Sequence, residues 1–421
     1  MIIDKNLNKT INAFLTINEN PGKGIPIAVK DNFLTKGLRT TAASKVLDNY
    51  IPQYSATVVS KLEEKGYVVV GKTNLDAWCH GSSTETSDYG PTLNPWNLKH
   101  VAGGSSGGSA ASVSAGMVDV AIGSETAGSI RGPAAWCGVV GLKPTYGRVS
   151  RYGVIAMGSS LDCPGVLAKN VTGAVEILKV ISGKDDKDAT SADVPVDDYL
   201  AGLTGDIKGL RVGLVENYLL PDMDEEVVEK ILKTKDVFEK LGAKVTKVKT
   251  LNPRFAIGVY TVIQRSEVSS NLARFDGIRY GNSRDSFMTE AKRRIMLGTF
   301  TLSSGYQDKY YKKAEKVRTL FIDDFKNLFK EFDVLIGPTM PGPAPELGAT
   351  RGQSMFGEMA DILAEPSAIA GLPAISVPCG FVGGLPIGLQ IIGPRFSESK
   401  IINTAFTYEQ ATKWHNEKPQ I

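Results

Sequence analysis

The chain has 421 residues, enough for one large domain or two to three ordinary ones, and a net charge of only +3 from 48 basic and 45 acidic residues. That balance supplies neither a basic groove for nucleic acid nor a cationic face for an anionic membrane, and no apolar run reaches the roughly 18 residues of a membrane span. Four scattered cysteines, Cys79, Cys137, Cys163 and Cys379, suit reduced thiols in a cytoplasmic protein rather than a disulfide framework.

Residues 1–20 read as a polar lead into Ala13-Phe14-Leu15, with no export or organelle address. An apolar run at 25–29 predicts a strand that carries Lys30 inward. Helical apolar spacing at Val58, Val59 and Leu62 predicts a helix over 55–65, and 67–70 reads as a buried strand. That strand lies inside Gly66-Tyr67-Val68-Val69-Val70-Gly71-Lys72-Thr73, which satisfies the phosphate-loop pattern. A working phosphate loop follows its strand and opens a helix; here the variable positions are the strand itself, so nucleotide binding is not expected. Cys79-His80 has no second pair to complete a metal site, and no metal is expected.

Further along, 109–118 predicts a helix, 118–122 a strand and 139–143 a short apolar segment. A helix at 170–182 leads to an acidic, proline-punctuated connector at 185–195. Strand 209–215, helix 224–241 and strand 243–247 form a βαβ rhythm. Residues 275–302 read as a basic helix and 310–332 as a second amphipathic helix. A strand at 334–339 and apolar segments at 376–378 and 388–393 close the sheet before a helix at 399–414. With no internal repeat or low-complexity linker, the prediction is a single α/β domain over 1–421, its sheet covered by helices on both faces.

The chemistry concentrates in Val101-Ala102-Gly103-Gly104-Ser105-Ser106-Gly107-Gly108 and the small-residue run that follows to Gly132. Such a run has too little apolar volume for an ordinary core and suits close approach of backbone to backbone or to substrate. Ser105 and Ser129 stand out in it, because backbone N–H groups ahead of a serine are what acyl transfer needs to hold an oxyanion. A serine nucleophile needs a base, yet His80, His100 and His415 sit in no triad motif. Lys30, if buried enough to be neutral, is the next candidate.

Gly24-Ile25-Pro26-Ile27-Ala28-Val29-Lys30-Asp31-Asn32, Gly103-Gly104-Ser105-Ser106-Gly107-Gly108-Ser109, Gly128-Ser129-Ile130-Arg131 and Cys137-Gly138-Val139-Val140-Gly141-Leu142-Lys143-Pro144-Thr145 together resemble the amidase signature family over nearly the whole chain. The spacing of 24 from Ser105 to Ser129 matches that of the family's two active serines. The resemblance implies the amidase-signature fold, with a large mixed central sheet. It implies Ser129 as the acyl-ester nucleophile, Ser105 as a relay following a non-proline cis peptide, and Lys30 as the base. It further implies an oxyanion hole from the N–H groups of Thr126, Ala127, Gly128 and Ser129, with Ser106 bracing the loop, Arg131 as a structural anchor and Gly81 beside the site.

Three segments, 143–153, 269–281 and 292–298, are similar to the A subunits of the glutamyl/aspartyl-tRNA amidotransferases, which hydrolyse glutamine and pass ammonia to a partner. This second resemblance implies that Arg294 grips the α-carboxylate of glutamine, Asp361 faces its α-ammonium and Tyr260 lines the pocket. Planar guanidinium pairs bidentately with carboxylate, so arginine suits that task. It also implies B and C subunits as partners, charged tRNA reached through the complex, and ATP and magnesium only at the partner, with no cofactor in this chain. The chain departs from that pattern at Glu125 and Ala127 and in Asn74-Leu75-Asp76-Ala77-Trp78; it begins late and is shortened between Gly281 and Arg294, which is expected to affect docking rather than the relay.

A stand-alone amidase of small or aryl amides would keep Lys30, Ser105 and Ser129 but has no need of Arg294 and Asp361 together. An α/β-hydrolase is suggested by G-x-S-x-G at 104–108, but that fold needs an acid and then a histidine downstream, and His415 alone serves poorly. A non-catalytic assembly protein would be expected to have lost the relay residues, which are intact.

Overall fold

The computed structural model describes residues 3–278, 281–349 and 355–421; Arg279 and Tyr280 of the segment 269–281 lie outside it. The polar lead forms a helix, α1 (Lys5–Ile11), because the Asp4 carboxylate caps the N–H groups of Asn6 and Leu7. Strands β1 (Phe14–Ile17) and β2 (Ile25–Lys30), helix α2 (Thr57–Glu64) and strand β3 (Tyr67–Thr73) follow, then a hairpin of β4 (Leu93–Asn94) and β5 (Asn97–Val101). Helix α3 (Gly107–Ser114), strand β6 (Val120–Glu125) and helix α4 (Arg131–Cys137) form the glycine-rich centre. After them come β7 (Val140–Lys143), β8 (Cys163–Ala168), α5 (Val171–Ile181), β9 (Arg211–Val215), α6 (Glu225–Lys240) and β10 (Lys244–Val248). Helices α7 (Arg254–Leu272), α8 (Thr289–Leu302) and α9 (Tyr311–Glu331) precede β11 (Val334–Pro338), and short helices α10 (Phe356–Ala360) and α11 (Glu365–Ile369) precede β12 (Ala374–Val382), β13 (Leu385–Ile392) and α12 (Glu398–Thr412).

Eleven strands form one mixed sheet, in the order β1-β3-β2-β6-β8-β7-β12-β13-β11-β9-β10. β2 runs parallel between β3 and β6, with Lys30 opposite Thr73 and Val29 opposite Ile122. Strands alternate their side chains between faces, and here the two faces differ in volume. One face presents Ala28, Val70, Ala121 and Leu167 to Ala110 and Ala111 of α3. The other presents Ile27, Val29, Val69, Ile122 and Val166 to a larger core that includes Val58, Val59 and Leu62 of α2 and Ile177 and Leu178 of α5. The small face lets α3, and the serine loop at its start, lie close against the ends of β2 and β6.

The sequence reading needs correction at two points. The helix expected over 275–302 exists only as α8, because Gly277 adopts φ +74 in the turns ahead of it. Helix α7 and strand β8 were not anticipated. The phosphate-loop pattern is filled by strand up to Thr73, and Lys72 is fully buried, 3.1 Å from Asp31 and bonded to the Phe33 carbonyl and the Thr40 hydroxyl at 2.8 Å. That lysine is a structural ion pair, with nothing left over for a phosphate.

Candidate active site

Lys30 ends β2 fully buried, its Nζ 2.7 Å from Ser105 Oγ and 3.1 Å from the Ser124 carbonyl. Burial holds its ammonium below the ordinary lysine range, against the opposing pull of Cys79, Asp76 and Asp162. A neutral amine can accept the proton that the relay delivers. The Gly104–Ser105 peptide is cis, as the family resemblance implied. Its loop is held from below by Asp76, whose N–H donates to the Ser105 carbonyl at 3.3 Å and whose carboxylate accepts from Thr84 N and Thr86 Oγ1, both at 2.9 Å. A Cβ on Gly104 would lie 2.0 Å from Asp76 Oδ2, so only glycine fits there.

The second serine loop is tied to the first by the Ser106 N–H, which donates to the Ser129 carbonyl at 3.2 Å, and by Ser106 Oγ on the Ser124 carbonyl at 3.3 Å. Glu125 Oε2 takes the N–H groups of Ile130 and Arg131 at 3.0 and 3.1 Å. Among the described residues, the N–H groups just ahead, on Ala127, Gly128 and Ser129, are donated to no protein acceptor. They stay open for an oxyanion, while Thr126 turns its hydroxyl to Tyr260 Oη at 3.1 Å. Arg131 is fully buried; it pairs with Glu125 Oε1 at 2.6 Å and also bonds Gln390, Ser367 and the carbonyls of Ala127 and Ala364. Glu125 thus ties Arg131 and two N–H groups into one network, which gives this departure from the family pattern a structural role.

Helices α7, α8, α10 and α11 wall the other side. Asp361 is buried against the nucleophile loop, since a Cβ on Gly128 would lie 2.2 Å from its Oδ1. Its Oδ2 accepts from Ser82 Oγ at 2.7 Å, and burial pushes its carboxyl up to about 8. Arg294 is buried, with Nε on Glu290 at 2.7 Å and Nη2 3.8 Å from Glu358. Burial alone would raise Glu358, but Arg294 and Arg265 hold it below the usual range. Gly81 packs on Asp76, where a Cβ would lie 2.4 Å from Oδ1, so its part in the site is close packing beneath the Ser105 loop.

The sequence reading missed Asp76, Glu358, Gln264, Arg265 and Glu365. Asp76 stood in a quoted motif without a role, and the others carry no motif at all. His80 is buried, burial holds its imidazole well below the usual range, and neither ring nitrogen has a hydrogen-bond partner among the described residues. His415 lines a pocket with Trp96, Ser114 and Lys169 at the C-terminal end of α3, the end opposite Ser105, which removes it as a base for Ser105. Among the described residues no group of three or more potential metal ligands exists, and no helix is long and apolar enough to cross a membrane.

The sequence profile of the Amidase family matches residues 6–402. The A subunit of the glutamyl-tRNA(Gln) amidotransferase of Geobacillus kaustophilus is 50% identical over 450 residues, covering 99% of this chain and 93% of its own. The crystal structure of the corresponding A subunit from Thermotoga maritima superposes with a TM-score of 0.86 at 44% identity, covering 96% of this chain and 88% of that one. A 6-aminohexanoate cyclic dimer hydrolase superposes with a TM-score of 0.90 at 27% identity, covering 99% of this chain and 92% of that one.

Proposed function

From the premise that this chain belongs to the amidase family, we propose that it is the glutamine-hydrolysing component, the A subunit, of a tRNA-dependent amidotransferase. Residues 1–421 act as one unit in the cytoplasm. Ser129 Oγ attacks the side-chain amide carbon of glutamine, and its proton passes through Ser105 to neutral Lys30. Lys30 returns a proton to the leaving nitrogen as ammonia departs. Water then attacks the glutamyl ester by the reverse relay, so that glutamine and water give glutamate and ammonia. The open N–H groups of the 126–129 loop hold the oxyanion in both steps. Arg294 takes the α-carboxylate and Asp361 the α-ammonium, with Tyr260 fixing Thr126 at the edge of the loop.

B and C subunits receive the ammonia and amidate Glu-tRNA(Gln), Asp-tRNA(Asn) or both; ATP and magnesium serve at the partner, and this chain needs no cofactor. The observation that carries the reading is the joint burial of Arg294 and Asp361 on one wall beside the Ser129 loop, a charge pair an aryl amide would not use. The test is ammonia release from glutamine, asparagine and an aryl amide, by the chain alone and with co-expressed partners, with Ser129→Ala as blank. Glutamine-selective release that rises with partners and vanishes in the variant is expected. Release from the aryl amide alone, indifferent to partners, would turn the assignment to a free-standing amidase.

A further inference from the structure

Beyond Arg294 and Asp361 the same wall holds polar atoms with no hydrogen-bond partner among the described residues. They are Nε2 and Oε1 of Gln264, Nε and Nη1 of Arg265, Oδ1 of Asp361 and both carboxyl oxygens of Glu365. Gln264 and Glu365 are fully buried. Folded interiors rarely leave such groups unpaired, and a cluster of them beside a nucleophile asks for a ligand.

The helices decide where these side chains lie. Gln264 is one turn beyond Tyr260 on α7, so it shares the face whose hydroxyl reaches Thr126. Glu365 is one turn beyond Asp361, and its N–H donates to the Asp361 carbonyl at 2.9 Å. α7 and α11 pack against each other, which brings the two pairs together. Asp361 Oδ1 borders Gly128 in the nucleophile loop. The cation next to this group, Arg265, bonds Glu358 through Nη2 at 2.7 Å, and neither Asp361 nor Glu365 has an ion-pair partner among the described residues. Two adjacent carboxyls thus offer three open oxygens, and Gln264 Oε1 adds a fourth acceptor. Burial pushes both acids upward, and the neighbouring Asp361 adds to the rise at Glu365.

We propose that Glu365 and Gln264 are specificity-determining residues that act with Asp361: Asp361 Oδ1, a Glu365 oxygen and Gln264 Oε1 accept the three N–H donors of the substrate's ammonium. The site therefore selects amides that carry a free amino group. An ammonium has three donors and no acceptor, so it can pair with the open acceptors of this wall. The inference deepens the glutaminase reading and rests on it.

The test compares kcat and KM for glutamine with those for glutaramate, which lacks the amino group, and likewise asparagine with succinamate. The amidotransferase complex is assayed with this chain as wild type, Glu365→Gln and Gln264→Met. Glu365→Gln is expected to raise KM for glutamine about tenfold, as loss of a charge-assisted hydrogen bond should, with kcat within about threefold and glutaramate unaffected. Gln264→Met should shift the same ratio in the same direction by about threefold. Equal losses on both members of each pair, or losses confined to kcat, in both variants would overturn the proposal. If wild type hydrolyses glutamine and the ratio does not move in either variant, the proposal falls while the glutaminase reading stands. Wild type that prefers the deaminated amide would sink both.

Discussion

The loops that carry Lys30, Ser105 and Ser129 and the helices that carry Arg294, Asp361 and Glu365 are buried alike, yet their polar groups are treated differently. In the first region the supporting groups are paired within the protein: Lys30 has Ser105 and Ser124, Asp76 has Thr84 and Thr86, and Arg131 fills its fork with Glu125, Gln390 and two carbonyls. Among the groups left open there are the N–H donors of Ala127, Gly128 and Ser129, which the proposed mechanism assigns to the oxyanion. In the second region Gln264, Arg265, Asp361 and Glu365 all keep unpaired polar atoms. The supporting groups of the first region are compensated within the fold, whereas under the proposed reading the second region is completed by substrate. Preorganisation favours the transition state, and an uncompensated wall favours the ligand that supplies the missing charges.

Substitutions can break this comparison at either end. The largest effect is expected from Ser129→Ala or Lys30→Met, each lowering kcat/KM for glutamine by about 10⁴-fold or more at unchanged fold. Circular dichroism beside the rate would check that the loss is chemical. Next, the two buried arginines should part company. Arg131→Met strands the Glu125 carboxylate and should lose about 3–5 kcal/mol of stability, read as a large fall in Tm or in soluble yield. Arg294→Met leaves Glu358 its closer partner Arg265, so it should lower Tm less than Arg131→Met does while raising KM for glutamine by about 10- to 100-fold. Equal Tm losses in the two would erase the distinction between a structural and a recognition arginine.

Asp361→Asn sharpens the comparison through pH. The Asp361 carboxyl rises from 3.8 to about 8 on folding, so between those values the folded chain holds a proton that the unfolded chain releases. Stability from this group is therefore lost as pH rises toward 8. The variant should gain several degrees of Tm over wild type at pH 8.5 and much less at pH 5, while binding glutamine more weakly at both. A smaller effect is expected for Tyr260→Phe, which removes one neutral hydrogen bond to Thr126 and should lower kcat/KM by less than about tenfold.

The proposed reacting groups were legible in the sequence because their chemistry restricts residue type: a lysine closing an apolar strand, and serines among glycines that no core needs. It disclosed most strands of the sheet through apolar runs. Helix α7 escaped because its buried face mixes Ile263 and Val268 with Gln264, Arg265, Ser266 and Asn271, which hides the apolar stripe. Strand β8 escaped because Cys163-Pro164-Gly165 reads as a turn, although all six of its residues are buried between β6 and β7. Glu365 and Gln264 were illegible for a related reason: an acid or amide on a short helix defaults to solvent unless the packing partner is known.

A diazoketone analogue of glutamine, which alkylates a glutaminase nucleophile irreversibly, tests the central claim most directly when its attachment site is mapped by peptide mass spectrometry. The account predicts modification of Ser129 alone, blocked by excess glutamine and lost in Ser129→Ala. Modification of Ser105 or Cys79 instead, with Ser129→Ala still releasing ammonia from glutamine, would contradict it.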